Sequence, residues 1–285
     1  MNIFIVGLGL IGGSLAKSLK GFKDAKIFGI NRTRKYLDMA EKEGVIEKGY
    51  TLDESAAIKD ADIIILCLYP FLNIEFIREN RQYLKSGAII TDVSGVKSFL
   101  EDEMKKILPD DVDFIGGHPM AGKEVTSYEH STADLFKNSS YLIVPSENSR
   151  PENISLCEEM ARFAGSARVI RTTAENHDKT IAYTSQLMHV LSVAICNMPA
   201  IETAAGFSGG SLNDMTRIAN INETLWSELF LENAPALIDS ISDMQTALDN
   251  IKTAIEKNDK DALCDIMISA RENKFRCLDS AKKQV

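Results

Sequence analysis

The sequence predicts an α/β fold in its first part, with a doubly wound sheet of mostly parallel strands, followed by an all-α domain. Over residues 1–171, short apolar runs alternate with helical segments, a pattern typical of a parallel sheet covered by helices on both faces. From residue 172 to residue 285 the spacing is helical, without a convincing strand pattern. A chain of 285 residues can hold two domains, so we expect them to cover residues 1–171 and 172–285.

The predicted strands are continuous apolar runs, as expected for strands that are buried on both faces. They cover residues 2–6, 26–30, 62–68, 88–93, 113–115, 141–144 and 167–171. The predicted helices cover residues 14–20, 100–107, 152–164, 177–197, 222–233, 235–256 and 260–282. Because ligands bind beyond the carboxyl ends of parallel strands, we expect the segments 69–70, 92–94 and 117–119 to meet at one crevice.

Composition argues against several classes of protein. The formal net charge of −9 argues against binding to nucleic acid, because a nucleic-acid-binding protein requires a basic face. The five cysteines are odd in number and lack a CxxC pair, which favours reduced thiols over disulfides or a metal site. The apolar N-terminus lacks a basic flank, and no later apolar run is long enough to cross a bilayer. We therefore expect a cytoplasmic protein without a metal and without a membrane partner.

The first predicted strand runs into the sequence GLGLIG, residues 7–12, and then into a helix. In this setting Gly7 permits a tight turn, Gly9 lets a pyrophosphate approach the backbone, and Gly12 lets the helix pack closely on the strand. The free amides at the start of the helix attract phosphate groups. We therefore predict a Rossmann-type dinucleotide site. Its expected contact residues are Gly7, Leu8, Gly9, Leu10, Ile11 and Gly12.

The end of the second predicted strand bears on the choice between NAD and NADP. An NAD site usually has a carboxylate here, whereas this chain has the sequence NRTR, residues 31–34. Arg32 or Arg34 could pair with the 2′-phosphate of NADP. Asn31 could equally bind the ribose hydroxyls of NAD while both arginines are solvated, so the cofactor stays NAD or NADP. The further cofactor contacts expected are Asn31, Arg32 and Thr33 after this strand, together with Leu68 and Pro70 at the end of the predicted strand 62–68.

The segment FIGGHPMAGKE, residues 114–124, places one of the four histidines between a glycine pair and a proline. Glycines free the backbone and proline stiffens it, so we expect His118 to lie in a fixed turn. Such a residue is either a loop histidine that packs for its shape or a positioned proton acceptor. The residues around it do not decide between the two.

Polar residues also stand out in the helical part. His177 and His189 lie on one predicted helix, and Arg217 belongs to the segment GGSLNDMTRIA. Taken alone, His189 could be a core histidine with a satisfied ring, and Arg217 could form a surface or interdomain salt bridge. Trp226, the only tryptophan, is most simply a core anchor.

Several of these segments together resemble the prephenate/arogenate dehydrogenase family, the TyrA enzymes of tyrosine biosynthesis. They are VGLGLIGGSLA, TDVSGVK, GGHPMAGKE, the HD of residues 177–178, TSQLMH and NDMTRIA, in this order along nearly the whole chain. The resemblance implies a Rossmann-type N-terminal domain, a helical C-terminal domain that forms a homodimer, and an active site between them. It also implies NAD(P)-dependent oxidative decarboxylation of prephenate to 4-hydroxyphenylpyruvate, with arogenate as the alternative substrate.

The same resemblance assigns roles to single residues. It makes His118 the catalytic histidine, and a neutral imidazole suits proton transfer near neutral pH. Arg217 would pair with a substrate carboxylate, where a guanidinium gives both affinity and orientation. His189 would be a second histidine on the substrate side, and Glu124 would lie near the pocket entrance.

Two departures from the family pattern concern the site. Many relatives have glycine before serine in the TDxxxVK segment, and that serine is hydrogen-bonded to the catalytic histidine. This chain has Ser94 followed by Gly95, so Ser94 acts from a shifted place, or a backbone amide or a water takes the role. Relatives often read SHLPH where this chain reads SQLMH. Lys97 is expected to be structural.

Two rival functions have weaker support. A reductase of similar build, such as a β-hydroxyacid dehydrogenase or an imine reductase, would not require GGHPMAG and NDMTRIA together. A catalytically silent dinucleotide-binding redox sensor would have no reason to keep His118, Arg217 and Glu124. The expected function is therefore that of a prephenate dehydrogenase.

Overall fold

The computed structural model of the protein describes residues 1–123 and 125–282. Its centre is an eight-stranded sheet with the strand order β3-β2-β1-β4-β5-β6-β7-β8. Every neighbouring pair is parallel except β6 and β7. The strands are β1 (Asn2–Val6), β2 (Lys26–Ile30), β3 (Lys48–Tyr50), β4 (Ile63–Leu66), β5 (Ile89–Asp92), β6 (Asp113–Pro119), β7 (Ser140–Pro145) and β8 (Arg168–Arg171). The predicted fold class is confirmed.

Five helices cover the two faces of the sheet. They are α1 (Leu10–Ser18), α2 (Arg34–Lys42), α3 (Pro70–Asn80), α4 (Ser98–Ile107) and α5 (Pro151–Phe163). Alternate residues of β1 point to opposite faces, because side chains alternate along a strand. Ile3 therefore lies in an apolar cluster with Leu15 of α1, whereas Phe4 lies in a second cluster with Ile74 of α3. These two clusters are the apolar interfaces between the sheet and the helices on its two faces, as in a doubly wound fold.

Strand β3 is missing from the sequence prediction. Its three residues, KGY, contain no apolar run, because β3 is an edge strand that pairs only with β2. Added Cβ atoms at Gly49 would lie 2.7 Å from the side chain of Leu37, so the close approach of α2 requires glycine at this position. Pairing with β2, rather than hydrophobic periodicity, thus defines this strand.

The prediction that His118 lies in a turn is wrong. His118 is the sixth residue of β6, and it stands opposite Leu142 in the antiparallel pairing with β7. The prediction ended this strand at residue 115, because its apolar run stops at the glycine pair. Pairing with β7 continues the strand to Pro119. The glycines fit this arrangement, since a Cβ at Gly117 would lie only 2.5 Å from the carbonyl oxygen of Asp92.

The described residues after β8 fold into helices and the turns between them. A long helical stretch comprises α6 (Ala174–Ile181), a π-helical segment (Ala182–Gln186) and α7 (Leu187–Cys196). The stretch begins three residues before the predicted start at residue 177, and the hydroxyl of Thr173 caps it by accepting a hydrogen bond from the amide of Asn176. The remaining helices are α8 (Gly210–Thr216), α9 (Glu223–Glu232), α10 (Ala234–Glu256) and α11 (Lys260–Lys282).

The chain forms two compact units by internal contacts. The first extends from Met1 to Asn233 and contains the sheet together with helices α1–α9, and the second begins at Ala234 and contains α10 and α11. All of the residues described below as parts of the site belong to the first unit. No helix in the described ranges combines the length and the apolar character needed to cross a bilayer.

Candidate active site

The loop between β1 and α1 has the backbone that the glycine motif requires. Gly7 has φ of +97°, and a Cβ added there would lie 2.8 Å from the carbonyl oxygen of Cys67. A Cβ on Gly12 would lie 2.0 Å from the carbonyl oxygen of Gly7, so glycine is needed for α1 to pack against the strand. A Cβ on Gly9 would meet no atom within 4 Å. The backbone at Gly9 therefore faces open space, into which a phosphate can approach.

This loop forms one wall of a cleft of about 1070 Å³. Ten of the eleven residues predicted for cofactor contact line it. They are Gly7, Leu8, Gly9, Leu10, Ile11, Asn31, Arg32, Thr33, Leu68 and Pro70. The eleventh, Gly12, lies behind the loop at the contact between helix and strand. A glycine loop, a helix start and a deep cleft together fit a dinucleotide.

The residues after β2 differ in what their side chains contact. The side-chain oxygen of Asn31 accepts a hydrogen bond from the Leu8 amide at 3.0 Å, which ties this segment to the glycine loop. The Arg34 guanidinium donates to Asp38 at 2.7 Å and to Glu41 at 3.2 Å. Arg32 is exposed and lines the cleft. Of the two arginines, Arg32 is therefore the one positioned to meet a bound cofactor.

His118 enters the same cleft from the end of β6. Its Nδ1 lies 2.9 Å from Nε2 of His177 in α6, a contact between residues 59 positions apart in sequence. Burial lowers the pKa of His118 well below its ordinary value, and the nearby His177 and Lys97 lower it further. His118 is consequently a neutral imidazole near neutral pH, able to accept a proton.

The second nitrogen of His177 is also engaged. His177 Nδ1 lies 2.7 Å from Oδ1 of Asp178, its neighbour in sequence. The Asp178 carboxylate accepts hydrogen bonds from the backbone amides of Lys97 at 2.9 Å and Ser98 at 2.8 Å, at the start of α4. Burial opposes ionisation, yet the hydrogen bonds from His177 and Ser98 hold the pKa of this carboxyl below its ordinary value. Asp178 is therefore a carboxylate that links α6, α4 and the imidazole of His177.

A buried ion pair supports the backbone just before His118. The Lys97 ammonium donates to Oδ2 of Asp92 at 2.6 Å, and the side chains of Lys97 and Asp92 are 1% and 0% exposed. The other carboxylate oxygen of Asp92 accepts a hydrogen bond from the Gly117 amide at 3.0 Å. The pair thus connects the end of β5 with the end of β6. This environment agrees with the structural role predicted for Lys97.

Ser94, predicted as a catalytic residue, lines the cleft close to this ion pair. Its hydroxyl accepts a hydrogen bond from Nδ2 of Asn73 at 3.2 Å, and its carbonyl accepts one from the Lys97 ammonium at 2.8 Å. At the next position a Cβ on Gly95 would lie 3.3 Å from the side chain of Leu229. Ser94, a backbone amide and a water were the candidates for a hydrogen bond to the catalytic histidine, and the structure places His177 against Nδ1 of His118.

Two aromatic rings from the helical segments, His189 and Trp226, line the cleft. His189 and Trp226 stack with their ring centroids 3.6 Å apart, and both line the cleft. His189 Nδ1 donates to the carbonyl oxygen of Ser185 at 3.0 Å, which orients the ring. The interpretation of Trp226 as a core anchor is wrong, because the side chain is only half-buried and forms part of the cleft wall.

Arg217, which is also predicted to bind the substrate, is less closely connected with the cleft. Arg217 is exposed and begins a short 3₁₀ turn, Arg217–Ala219. Its neighbours Ile218 and Asn220 line the cleft, whereas Arg217 does not. Glu124 lies outside the described residues. The structure therefore brings His118, Ser94 and His189 to one cleft with the cofactor residues, and it leaves Arg217 at the margin.

Sequence reasoning missed the importance of His177 and Asp178. The available signal was the adjacent histidine and aspartate near the start of a helix. Two neighbouring polar side chains of this kind can both be buried only if each has a hydrogen-bond partner. Both residues are buried. Their partners, His118 and the start of α4, come from the sheet part of the chain and are not apparent from spacing.

The fold and the site define a dinucleotide-dependent dehydrogenase, in which a neutral histidine shares a cleft with a glycine loop. Two family models match the chain. "Prephenate dehydrogenase, nucleotide-binding domain" matches residues 15–171, and "Prephenate dehydrogenase, dimerization domain" matches residues 173–269. The chain belongs to the prephenate dehydrogenase family.

Individual relatives agree with this assignment. The prephenate dehydrogenase of Bacillus subtilis is 26% identical over 99% of this chain and 74% of its own length. A crystal structure of prephenate dehydrogenase from A. aeolicus, in complex with hydroxyphenyl propionate and NAD+, has a TM-score of 0.87 at 26% identity, covering 97% of this chain and 98% of that chain. The Synechocystis arogenate dehydrogenase structure has a TM-score of 0.85 at 25% identity, covering 97% and 99% of the two chains.

Proposed function

We propose that this enzyme oxidises and decarboxylates prephenate to 4-hydroxyphenylpyruvate with NAD or NADP. The observation that carries the proposal is the position of His118, a neutral imidazole in the same cleft as the glycine loop. The related A. aeolicus structure is a complex with hydroxyphenyl propionate and NAD+, which supports a site for an aromatic ligand and a dinucleotide in this chain as well. When bound, the nicotinamide would supply the acceptor for a hydride.

We assign to His118 the role of the base that accepts the proton of the substrate hydroxyl. Loss of carbon dioxide makes the ring aromatic and drives the reaction, so the protein has mainly to orient the substrate and to accept this one proton. An imidazole whose pKa lies below its ordinary value stays unprotonated near neutral pH and is ready for this task. Ser94 lines the same cleft, and its backbone bonds to both members of the buried ion pair. Its hydroxyl stays a predicted catalytic group.

The substrate carboxylates require cations or strong hydrogen-bond donors. We assign one carboxylate to Arg217, whose neighbours Ile218 and Asn220 line the cleft, because a guanidinium can bind a carboxylate through two parallel hydrogen bonds. His189 and Glu124 are assigned to the substrate side as well. The stacking of His189 on Trp226 supports this assignment, since it presents an oriented ring to the cleft.

The arrangement of the whole chain follows the two family models. We assign residues 1–171 to dinucleotide binding and residues 172–285 to substrate binding and dimerisation, with boundaries supported by matches that end at 171 and begin at 173. The description of the second family model as a dimerization domain supports a homodimer. A cytoplasmic location is proposed from the reduced cysteines that the sequence suggests.

Arogenate is the alternative substrate. Arogenate has an amine where prephenate has a keto group, and the similarity to the Synechocystis arogenate dehydrogenase supports this alternative. A catalytically silent redox sensor is the less favoured alternative, because it would not need a neutral histidine in the cleft.

A four-way assay tests the proposal. Purified protein is mixed with prephenate or arogenate, each with NAD or NADP, and reduced nicotinamide is followed by its absorbance. We expect formation of reduced cofactor with prephenate and at least one of the two dinucleotides. Activity with arogenate alone would replace the proposed substrate by the alternative. No activity in any combination, from folded protein that still binds a dinucleotide, would refute the enzyme and favour the sensor.

A further inference from the structure

We infer that His177 and Asp178 are positioning residues that hold His118 in a single tautomer, with hydrogen on Nδ1 and a lone pair on Nε2. The inference deepens the proposed function, because it explains how His118 is prepared to accept a proton. It rests on a chain of three polar groups, in which each contact fixes the hydrogen position of the next. The chain begins at Asp178, in the interior, and ends at the cleft.

Asp178 fixes the direction of the chain because its carboxylate can only accept. Its two oxygens receive the backbone amides of Lys97 at 2.9 Å and of Ser98 at 2.8 Å. An amide N–H cannot accept, so neither oxygen can carry a hydrogen toward it. The side chain of Asp178 is 7% exposed, and the start of α4 favours a negative charge at this place. Although burial opposes ionisation, the hydrogen bonds that Asp178 receives hold the pKa of this carboxyl below its ordinary value, so it is ionised near neutral pH. The remaining partner of Oδ1 is therefore a donor.

That donor is Nδ1 of His177, at 2.7 Å. A neutral imidazole has one donor and one acceptor nitrogen, so a hydrogen on Nδ1 leaves a lone pair on Nε2. Burial lowers the pKa of His177, against the opposing effect of Asp178, and the ring stays neutral. The side chain of His177 is 0% exposed, which leaves its nitrogens no solvent to bond with.

The lone pair of His177 then determines the state of His118. His118 Nδ1 lies 2.9 Å from Nε2 of His177 and must donate to it. Nε2 of His118 keeps its lone pair, and His118 lines the cleft. In the proton transfer the substrate O–H bond breaks, an Nε2–H bond forms on His118, and the substrate oxygen keeps the electron pair. The hydrogen on Nδ1 does not move.

The same chain would stabilise the product of that transfer. Protonated His118 carries a positive charge, and the nearest carboxylate along the chain is Asp178, one imidazole away. Asn233 stabilises the segment that holds this carboxylate, because its Nδ2 donates to the carbonyl oxygen of Asp178 at 2.9 Å and to Gln186 at 2.7 Å. In serine proteases a carboxylate likewise holds the catalytic histidine in one tautomer, and the wrong tautomer lowers activity there.

The tautomer can be observed directly by nitrogen NMR on protein labelled with 15N in its histidine rings. The chain has four histidines, so the spectrum contains few ring signals. Variants in which one histidine at a time is replaced assign each signal to its residue. We expect His118 and His177 both to carry hydrogen on Nδ1 and to have unprotonated Nε2 near neutral pH. A hydrogen on Nε2 of His118 would overturn the inference. The tautomer is determined from the spectrum of the wild-type protein, and the variants serve only to assign its signals.

Kinetics of two substitutions at one position supply the functional test. His177→Phe keeps a planar ring but removes the acceptor, and we expect kcat to fall about 10²-fold while dinucleotide affinity is unchanged. His177→Gln retains an acceptor oxygen for His118, and we expect it to keep kcat within about tenfold of wild type. His130→Phe is the control, because His130 is exposed and lies outside the cleft lining. Equal losses in the two His177 variants, or no loss in either, would overturn the inference.

The inference and the proposed function can fail separately. If the wild-type protein oxidises neither substrate, the proposed function is refuted, while the NMR spectrum still decides which tautomer His118 has. If the wild-type protein is active but His177→Phe turns over like wild type, the function stands and the positioning role is refuted.

Discussion

Breaking the buried ion pair between Lys97 and Asp92 by removing one partner should lower the stability of the protein by an unusually large amount. We consider the substitution Lys97→Met, which keeps most of the aliphatic side chain and removes the ammonium. In the native protein this ammonium lies 2.6 Å from the carboxylate, with 1% and 0% of the two side chains exposed. Burial lowers the pKa of Lys97, whereas the charge of Asp92 opposes the shift. The two charges are therefore shielded from water, and each has the other as its main partner of opposite charge.

The size of the effect follows from what the substitution leaves behind. Without Lys97, the Asp92 carboxylate keeps only the amides of Gly117 at 3.0 Å and Ser94 at 2.8 Å. The carbonyl oxygens of Ser94 and Val96 also lose their donor. Breaking a buried pair in this way typically costs about 3–5 kcal/mol. Whole domains have a free energy of unfolding of about 5–15 kcal/mol, so the substitution removes a large share of it.

Urea unfolding followed by circular dichroism measures this change, with all variants at one protein concentration, since association shifts apparent stability. Lys106→Met is a matched control, because Lys106 makes an ion pair of the same length, 2.6 Å, to Glu103 but is 66% exposed. We expect a much lower midpoint for Lys97→Met and an unchanged midpoint for Lys106→Met, at equal slope. Equal midpoints for the two variants would refute the reasoning.

Two further predictions concern binding. Arg217→Ala should raise KM for prephenate by about tenfold or more and leave KM for the dinucleotide unchanged, because it removes a guanidinium that pairs with a substrate carboxylate. If steady-state assays show an unchanged KM for prephenate, Arg217 is part of a structural salt bridge instead. Arg32→Ala should raise KM for NADP by about tenfold and leave KM for NAD nearly unchanged, because a charge-assisted bond to the 2′-phosphate is lost. Arg34→Ala is the control, because the Arg34 guanidinium is already paired with Asp38 and Glu41. Equal effects of Arg32→Ala on KM for NAD and for NADP would contradict the proposed contact of Arg32 with the 2′-phosphate.

The parts of the fold that sequence reasoning predicted well depend on local chemistry. The glycine loop is one example, because the conformation of Gly7 and the close packing at Gly12 are properties of a short segment. The helices after residue 172 are another, because helical spacing and the cap at Thr173 are visible within a few residues. In both cases the physical cause and the sequence signal lie in the same stretch of chain.

The parts that sequence reasoning missed depend on contacts between distant segments. His118 lies in a strand because β7 pairs beside it, and nothing within residues 114–124 reveals that partner. The contact between His118 and His177 spans 59 positions. Trp226 lies in the cleft wall because it stacks on His189, although a lone tryptophan is usually interpreted as a core residue. Each of these positions is decided by tertiary packing.

The central claim is that His118 accepts the proton of the substrate hydroxyl, and His118→Asn tests it most directly. Turnover of prephenate is measured beside the equilibrium binding of the dinucleotide to the same preparation. We predict that kcat falls by about two to four orders of magnitude, the usual effect of losing a positioned base, while dinucleotide affinity stays that of wild type. Turnover of the variant near the wild-type rate would contradict the account.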